Sequence, residues 1–373
     1  MHGRDGSRGW EGTLDHARVN ALLEEMKTAP EIYRPSPFWE ELTAVGLKQL
    51  EGGGFENFKR SVNMTYFNWS VPGILQHQFL PMFWSWCRRP TLSVLGARFH
   101  GYQSTLPAAR VYRSVSDYRL RLPDVASFNP VAAILYKVYV AMLWEYVKRQ
   151  DALELISSLD EPSLGNPFLV EYKGRATSQD LCNSVHEFYS ATGDDASAYQ
   201  FWNVAELGAG YGRLAYVFRH AAPSSTYTII DIPPALNVAQ EYLTTIFPDV
   251  AAFRFRPFKR YEDVQGEFES SRIRFLAAHQ IALLPAKQFD LFVNISSLHE
   301  MTYPQIKNYL EQIGRLCRGR FYTKQWRIAR TAVNGPVITE SEYPIPASWT
   351  CLYHRQHPIQ RMFFHALYEV GLQ

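Results

Sequence analysis

The stretch that decides the fold runs from Phe201 to Leu236, FWNVAELGAGYGRLAYVFRHAAPSSTYTIIDIPPAL. A short apolar run, Val204–Leu207, leads into Gly208-Ala209-Gly210-Tyr211-Gly212, and a helical pattern opens at Arg213-Leu214-Ala215. Glycine is needed where a chain must turn tightly and let a ligand approach with no Cβ in the way. The next apolar run, Tyr227–Ile230, ends at Asp231, 23 positions after Gly208. A carboxylate at that strand end is placed to accept hydrogen bonds from the two hydroxyls of a ribose. Two ligand classes use such a unit. A dinucleotide loop reads G-x-G-x-x-G and would need its third glycine at position 213, where this chain has Arg213. The pattern here is E-x-G-x-G-x-G, from Glu206 to Gly212. Glu206 suits a cationic amino group, whereas it would repel a pyrophosphate.

Outward from this unit the chain divides by texture near residue 195. After it, short apolar runs alternate with helical patterns, the mark of a parallel α/β sheet. Strands are predicted at Val204–Leu207, Tyr227–Ile230, Arg272–Ala277, Phe289–Ile295 and Arg320–Trp326, and residues 248–269 form an excursion before the third of them. The expected fold is a Rossmann-like α/β domain over 196–373, its sheet mostly parallel, preceded by a mainly helical region over 1–195. In that first region Leu14, Val19, Leu22, Leu23 and Met26 recur at helical spacing up to Pro30. Gly52-Gly53-Gly54 marks a flexible break, and a long helix is predicted from Pro130 to about Leu159, before the turn Gly165-Asn166-Pro167. Thr177 with Asp180 reads as the cap of another helix that stops at Gly193. Asp180, Asn183, Ser184 and Glu187 gather on one face of it, either solvated or closing over a ligand.

The segments ELGAGYGRLAYVF, DIPPAL and FDLFVNISSLHEM resemble the sugar O-methyltransferase family of class I S-adenosylmethionine-dependent methyltransferases. So do GNPFLVEYKGRATSQDLCNSVHEFY before them and FYTKQW and EYPIPASW after, a resemblance covering about residues 160–350. It implies S-adenosyl-L-methionine as methyl donor, S-adenosyl-L-homocysteine as product and a reversed last strand in the sheet. Carried onto this chain, the donor site comprises Glu206, Gly208, Ala209, Gly210, Gly212, Asp231 and Ile232. The third strand would bring His279 and Gln280 beside the adenine, and the fourth would bring Asn294 and Ser296 against the methyl end.

Methyl transfer from a sulfonium is an in-line displacement, so the protein must align the acceptor and take its proton. His299 and Glu300 follow the fourth strand, just before a helix opened by Tyr303-Pro304, and are the candidate bases. Imidazole titrates near neutrality. The family pattern commonly carries Gln at position 299 and Glu at 300, so this chain departs from it at His299. His186, Lys324, Trp326 and Tyr343 are candidates for the acceptor side, with Gln325 able to hydrogen-bond a hydroxyl; alternation along RFYTKQW would equally bury these side chains as core. Asp180, Glu187 and Glu300 are the carboxylates that could converge on a metal, but no tight cluster demands one, and no metal is expected.

Composition bounds the rest. The chain has 373 residues, 38 basic against 36 acidic, with no basic stripe for a nucleic acid. Cys87, Cys182, Cys317 and Cys351 are scattered, without CxxC or Cys/His spacing. The first thirty residues do not read as a signal peptide, and Val131–Val147 is interrupted by Lys137 and Glu145, so a cytoplasmic protein acting off the membrane is expected. Apolar surface in the helical region makes a homodimer the expected assembly. Aromatic residues reach 14%, many of them before residue 195 in NMTYFNWSV, FLPMFWSW and HEFY, where they would wall a pocket for a small-molecule acceptor. The leading expectation is methylation of a sugar or glycoside hydroxyl in saccharide or secondary-metabolite biosynthesis. The alternatives are N- or phenolic O-methylation of an aromatic acceptor, and a non-catalytic scaffold, which would have no need of the glycine loop and Asp231.

Overall fold

The computed structural model describes residues 16–36, 39–40, 43–44, 47, 58–59, 78–99, 130–193, 198–330 and 336–371. The glycine triplet, the aromatic segment NMTYFNWSV and the boundary near 195 lie outside the described residues. The helices are α1 (His16–Thr28), α2 (Leu80–Arg88), α3 (Pro130–Lys148), α4 (Leu155–Ser158), α5 (Gln179–Thr192), α6 (Arg213–Ala221), α7 (Ala235–Ile246), α8 (Gln265–Ser270) and α9 (Tyr303–Leu316). Short strands β1 (Arg98–Phe99), β2 (Val170–Tyr172) and β3 (Arg175–Thr177) form a small antiparallel sheet. The main strands are β4 (Asn203–Leu207), β5 (Thr226–Asp231), β6 (Ala252–Phe253), β7 (Ile273–Ala277), β8 (Phe289–Ile295) and β9 (Cys317–Trp326). A hairpin of β10 (Ile328–Arg330) and β11 (Val337–Thr339) follows, then β12 (Thr350–Gln356) and β13 (Phe363–Glu369).

Eight strands make the central sheet, in the order β12-β13-β9-β8-β4-β5-β7-β6. All pairs from β6 to β9 are parallel, and β13 alone runs against its neighbours β9 and β12. This is the mostly parallel sheet that the sequence pattern predicts, with the reversed last strand that the family resemblance implies. Every residue of β5 and β7 is buried, as expected where helices cover both faces of a parallel sheet. From β4 the chain builds outward through β5 and β7, then returns to the other side of β4 for β8 and β9. The carboxyl ends of β4 and β8 therefore flank a switch point, where such sheets open a ligand crevice. Register aligns those ends: Leu207 lies opposite Ile230 and Asn294, Asp231 opposite Ala277, and Ile295 opposite Lys324.

Two helix boundaries differ from the reading of the sequence. The helix predicted to reach Leu159 stops at Lys148, because the Asp151 carboxylate accepts the backbone N–H groups of Leu155 and Ile156 at 2.8 Å each and starts α4 afresh. The cap of α5 is Ser178 rather than Thr177: the Ser178 hydroxyl accepts the Leu181 N–H at 2.9 Å, while Thr177 turns to the Cys182 thiol. Gly193 ends the helix at φ 74°.

The polar face of α5 is buried, not solvated. Glu187 has no exposed surface and pairs with Arg213 at the start of α6 and with the Lys324 ammonium of β9 at 2.7 Å. Ser184 accepts from Arg213 at 2.8 Å, and the Tyr211 hydroxyl reaches Asp180 at 3.4 Å. A second buried pair, Lys59 with Glu161, is joined to the α5 cap through the Ser178 hydroxyl at 2.7 Å. Helix α5 is thereby strapped over the exit of the glycine loop and to a central strand. Among the described residues no helix is long and apolar enough to cross a membrane.

Removing one member of a buried ionic group strands its partner, at a cost of about 3–5 kcal/mol. Lys324→Met is accordingly expected to lower the urea midpoint with little change in slope; a midpoint within error of wild type would show the network to be dispensable.

Candidate active site

The loop after β4 carries positive φ at each glycine, 72° at Gly208, 59° at Gly210 and 84° at Gly212, a region where side chains are strained. Space adds to the demand. A Cβ on Gly208 would stand 2.5 Å from the Ser297 Cβ, and one on Gly212 would stand 2.7 Å from a Leu243 methyl. Ser297 is a site residue that sequence reasoning missed. It follows β8 far along the chain, and its contact with Gly208 is purely tertiary.

Asp231 closes the rim of this loop. Its carboxylate accepts the Gly210 N–H at 2.9 Å and the Ile232 N–H at 2.7 Å, with Ala209 also donating from its backbone. Burial pushes its pKa up to about 7, against the pull of those three N–H groups. Glu206 lies one turn back in the sheet, where it accepts the Tyr227 hydroxyl at 2.7 Å. Burial raises it to about 8, against the pull of the Tyr227 hydrogen bond and the Arg213 cation.

The other positions expected to touch a donor divide. Gln280 is fully buried and its amide is spent on the turn after β7: Oε1 accepts from the Ala277 N–H and Nε2 donates to the Arg256 carbonyl, both at 2.9 Å. It is therefore unavailable to a base. His279 stands nearer the rim, its Nε2 3.3 Å from Glu25 of α1. The Asn294 amide donates to the Leu207 carbonyl at 2.9 Å, which ties the ends of β8 and β4 together. Ser296 is held at φ 57° by its N–H on the Lys324 carbonyl, 2.8 Å away.

His299 and Glu300 come together beyond this edge, with His299 Nε2 3.7 Å from the Glu300 carboxylate. Aromatic side chains surround them. The His299 ring lies 5.7 Å from Trp326 and 6.4 Å from Phe363, and the Trp39 indole donates to Glu300. Tyr343 is buried beside them, its hydroxyl on the Trp326 carbonyl at 3.4 Å, and the Glu300 charge lifts its pKa further. Burial lowers His299 to about 4, partly offset by its bond to Gln325, and raises Glu300 to about 8, with Asp231 adding to the rise. At pH 7 the pair is thus a neutral imidazole beside a protonated carboxyl.

Lys324 and His186 are placed elsewhere than expected. The Lys324 ammonium is enclosed by Glu187 and Gln360 rather than presented to a hydroxyl. His186 is buried beside His357 and His365, at ring distances of 5.2 and 6.3 Å, and burial lowers it to about 4. Asp180 and Glu187 share the ionic network under α5, whereas Glu300 faces Asp231. Among the described residues no group of three or more His, Cys, Asp or Glu is placed to hold a metal ion. The N-terminal segment covers the same edge: Ser36 donates to the Glu300 carbonyl and Thr43 to the Pro233 carbonyl, both at 3.1 Å, and the Gln305 amide donates to the Arg34 carbonyl at 2.7 Å.

No family model and no curated protein matches the chain. Among solved structures it is similar to a SAM dependent methyltransferase from Aquifex aeolicus, at 15% identity and a TM-score of 0.35 over 61% of this chain and 98% of that one. It is also similar to Burkholderia thailandensis 1,6-didemethyltoxoflavin-N1-methyltransferase, at 15% identity and a TM-score of 0.36 over 52% and 79%. A third likeness is to the mitomycin 7-O-methyltransferase MmcR, at 14% identity and a TM-score of 0.35 over 65% and 73%.

Gly208→Ala, which meets both a strained φ and the Ser297 side chain, is expected to lower the melting temperature and abolish calorimetric binding of S-adenosylhomocysteine. An ionised Asp231 is the better acceptor for ribose hydroxyls. If Asp231 holds a ribose as the sequence predicts, its pKa of about 7 means that S-adenosylhomocysteine affinity should be full above that pH and fall as pH drops through it. Asp231→Ala should remove this dependence and weaken binding by about tenfold or more.

Proposed function

We propose that this protein is an S-adenosylmethionine-dependent O-methyltransferase acting on a hydroxyl of a sugar or glycosylated small molecule. The observation that carries the reading is a neutral buried imidazole, His299, ringed by aromatic side chains at the end of β8, on the sheet edge that carries the glycine loop and Asp231. The loop supports the donor reading: its three glycines take positive φ, a Cβ on Gly208 or Gly212 would collide with Ser297 or Leu243, and Asp231 at the end of β5 would accept the hydroxyls of the donor's ribose. S-adenosylmethionine, when bound, supplies an electrophilic methyl group on a sulfonium. Gly208, Gly210 and Gly212 admit it to the backbone, and Asp231 orients it through its ribose.

His299 takes the acceptor proton as the acceptor oxygen bonds to the methyl carbon; the carbon–sulfur electron pair departs with sulfur, leaving S-adenosylhomocysteine and an imidazolium. With its pKa lowered to about 4 the imidazole stays unprotonated through the physiological range, but it is a weaker base than one tuned near the working pH. Glu300, protonated at pH 7, is no base there, but it can hold a hydroxyl by donating a hydrogen bond. Trp326, Tyr343 and Trp39 would exclude water and stack on the apolar face of a sugar. The same aromatic wall favours a second reading, a flat phenolic or N-nucleophilic acceptor.

A turnover screen over free sugars, nucleotide sugars, aromatic glycosides and phenols sorts these acceptors. With His299 as base, kcat/KM should be flat at neutral pH and fall only toward pH 4, and His299→Ala should lose about 10²–10⁴-fold. A rate that climbs instead through about pH 8, abolished by Glu300→Gln, would transfer the role to Glu300. Failure of the wild-type protein to bind S-adenosylhomocysteine at millimolar concentration would sink every methyltransferase reading.

A further inference from the structure

Gln325 lies in the middle of a hydrogen-bonded chain whose direction is set at both ends by the backbone. At one end the Asn294 Nδ2 donates to the Leu207 carbonyl at 2.9 Å, a group that can only accept. Asn294 Oδ1 is therefore the end turned to Gln325, whose Nε2 donates to it at 2.5 Å. The same Nε2 also faces the Asn294 backbone carbonyl at 3.3 Å and the Thr323 hydroxyl at 3.0 Å. At the other end Gln325 Oε1 faces the His299 backbone N–H at 3.4 Å, a group that can only donate, and His299 Nδ1 at 3.1 Å. A carbonyl on one side and an N–H on the other leave the amide a single orientation, with oxygen toward the imidazole. An amide oxygen can only accept, so the proton of the neutral ring sits on Nδ1.

We propose that Gln325 is a positioning residue that locks His299 in the Nδ1–H tautomer and keeps the Nε2 lone pair available for the acceptor proton. The inference rests on His299 being the base of the proposed reaction, but the tautomer itself follows from the hydrogen bonds alone. Nε2 is the ring nitrogen on the Glu300 side, 3.7 Å from that carboxyl. Glu300 is the titratable group facing the ring; β9 and β13 present Trp326 and Phe363 to it. An uncharged acceptor also explains a division of labour: it orients the ring as a carboxylate would, while offsetting only part of the loss of basicity that burial imposes. Burial then holds the imidazole neutral. A carboxylate at this position would stabilise the imidazolium and favour the charged form.

The test needs no acceptor. In full-length protein labelled with ¹⁵N-histidine, long-range ¹H–¹⁵N correlation spectra report the tautomer of each ring, and His299→Gln identifies the signals of His299 by their loss. Wild-type His299 is expected to show a protonated Nδ1 and a bare Nε2 at pH 7. Gln325→Glu should raise the pH at which the ring titrates by about one to three pH units. Gln325→Leu should release the ring into a mixture with the Nε2–H form. A bare Nδ1 in the wild-type spectrum, which requires no variant to fold, overturns the proposal, as does an unmoved titration in folded Gln325→Glu. The base reading fails separately: full turnover in His299→Ala would remove it while leaving the tautomer measurement intact.

Discussion

Glu187 is the residue on which the arrangement of the sheet edge depends. It is a carboxylate with no exposed surface, held between Arg213 at the mouth of α6 and Lys324 in β9. Two cations around one anion, in an interior of low polarisability, are costly to separate and costly to leave unpaired. Burial alone would push the carboxyl up, yet the two cations hold it well below the usual carboxylate range. The group fixes three elements at once: the helix that precedes the sheet, the first helix after the glycine loop, and the strand that carries Gln325 toward His299. An apolar replacement could pack as well but would not specify one register of α5 against β9.

The first strand–loop–helix unit was legible because its demands are local. Positive φ at Gly208, Gly210 and Gly212 is a backbone property that only particular residues meet cheaply, and Asp231 is set at its strand end by alternation and length. Parallel order followed from apolar runs spaced by helices. What stayed hidden is tertiary. Nothing near Ser297 announces that it closes under Gly208, and nothing in RFYTKQW tells which side chains turn inward. Lys324 proved to be core and Gln325 part of a hydrogen-bonded chain. Gln280 looked equivalent to His279 as a neighbour of a base, and only its tertiary surroundings, the Ala277 N–H and the Arg256 carbonyl that hold its amide, separate them. The face of α5 was ambiguous for the same reason: a run of polar residues at helical spacing reads alike whether water or a buried cation lies opposite.

Opposed environments for His299 and Glu300 arise from one cause. His299 is buried and Glu300 half-buried, and withdrawal from water disfavours whichever form is charged, so the imidazole falls and the carboxyl rises. The result at neutral pH is a pair without net charge that holds both a hydrogen-bond donor and a lone pair. In the proposed reaction the positive charge of the donor would pass to the imidazole as the transfer proceeds, so the site would carry one unit of charge before and after it.

The position of β13 bears on how the protein is made. β13 follows every other strand of the sheet in chain order, yet it lies inside the sheet, between β9 and β12. Until it arrives, the edge of β9 from Arg320 to Trp326 has no partner along seven residues, five of which end up buried in succession, Phe321 to Gln325. An open edge of that length invites pairing with other chains. A chain in which β13 has not yet docked therefore carries a liability that the folded sheet lacks, and loss of β13 should be felt first as aggregation rather than as a smaller, still soluble domain.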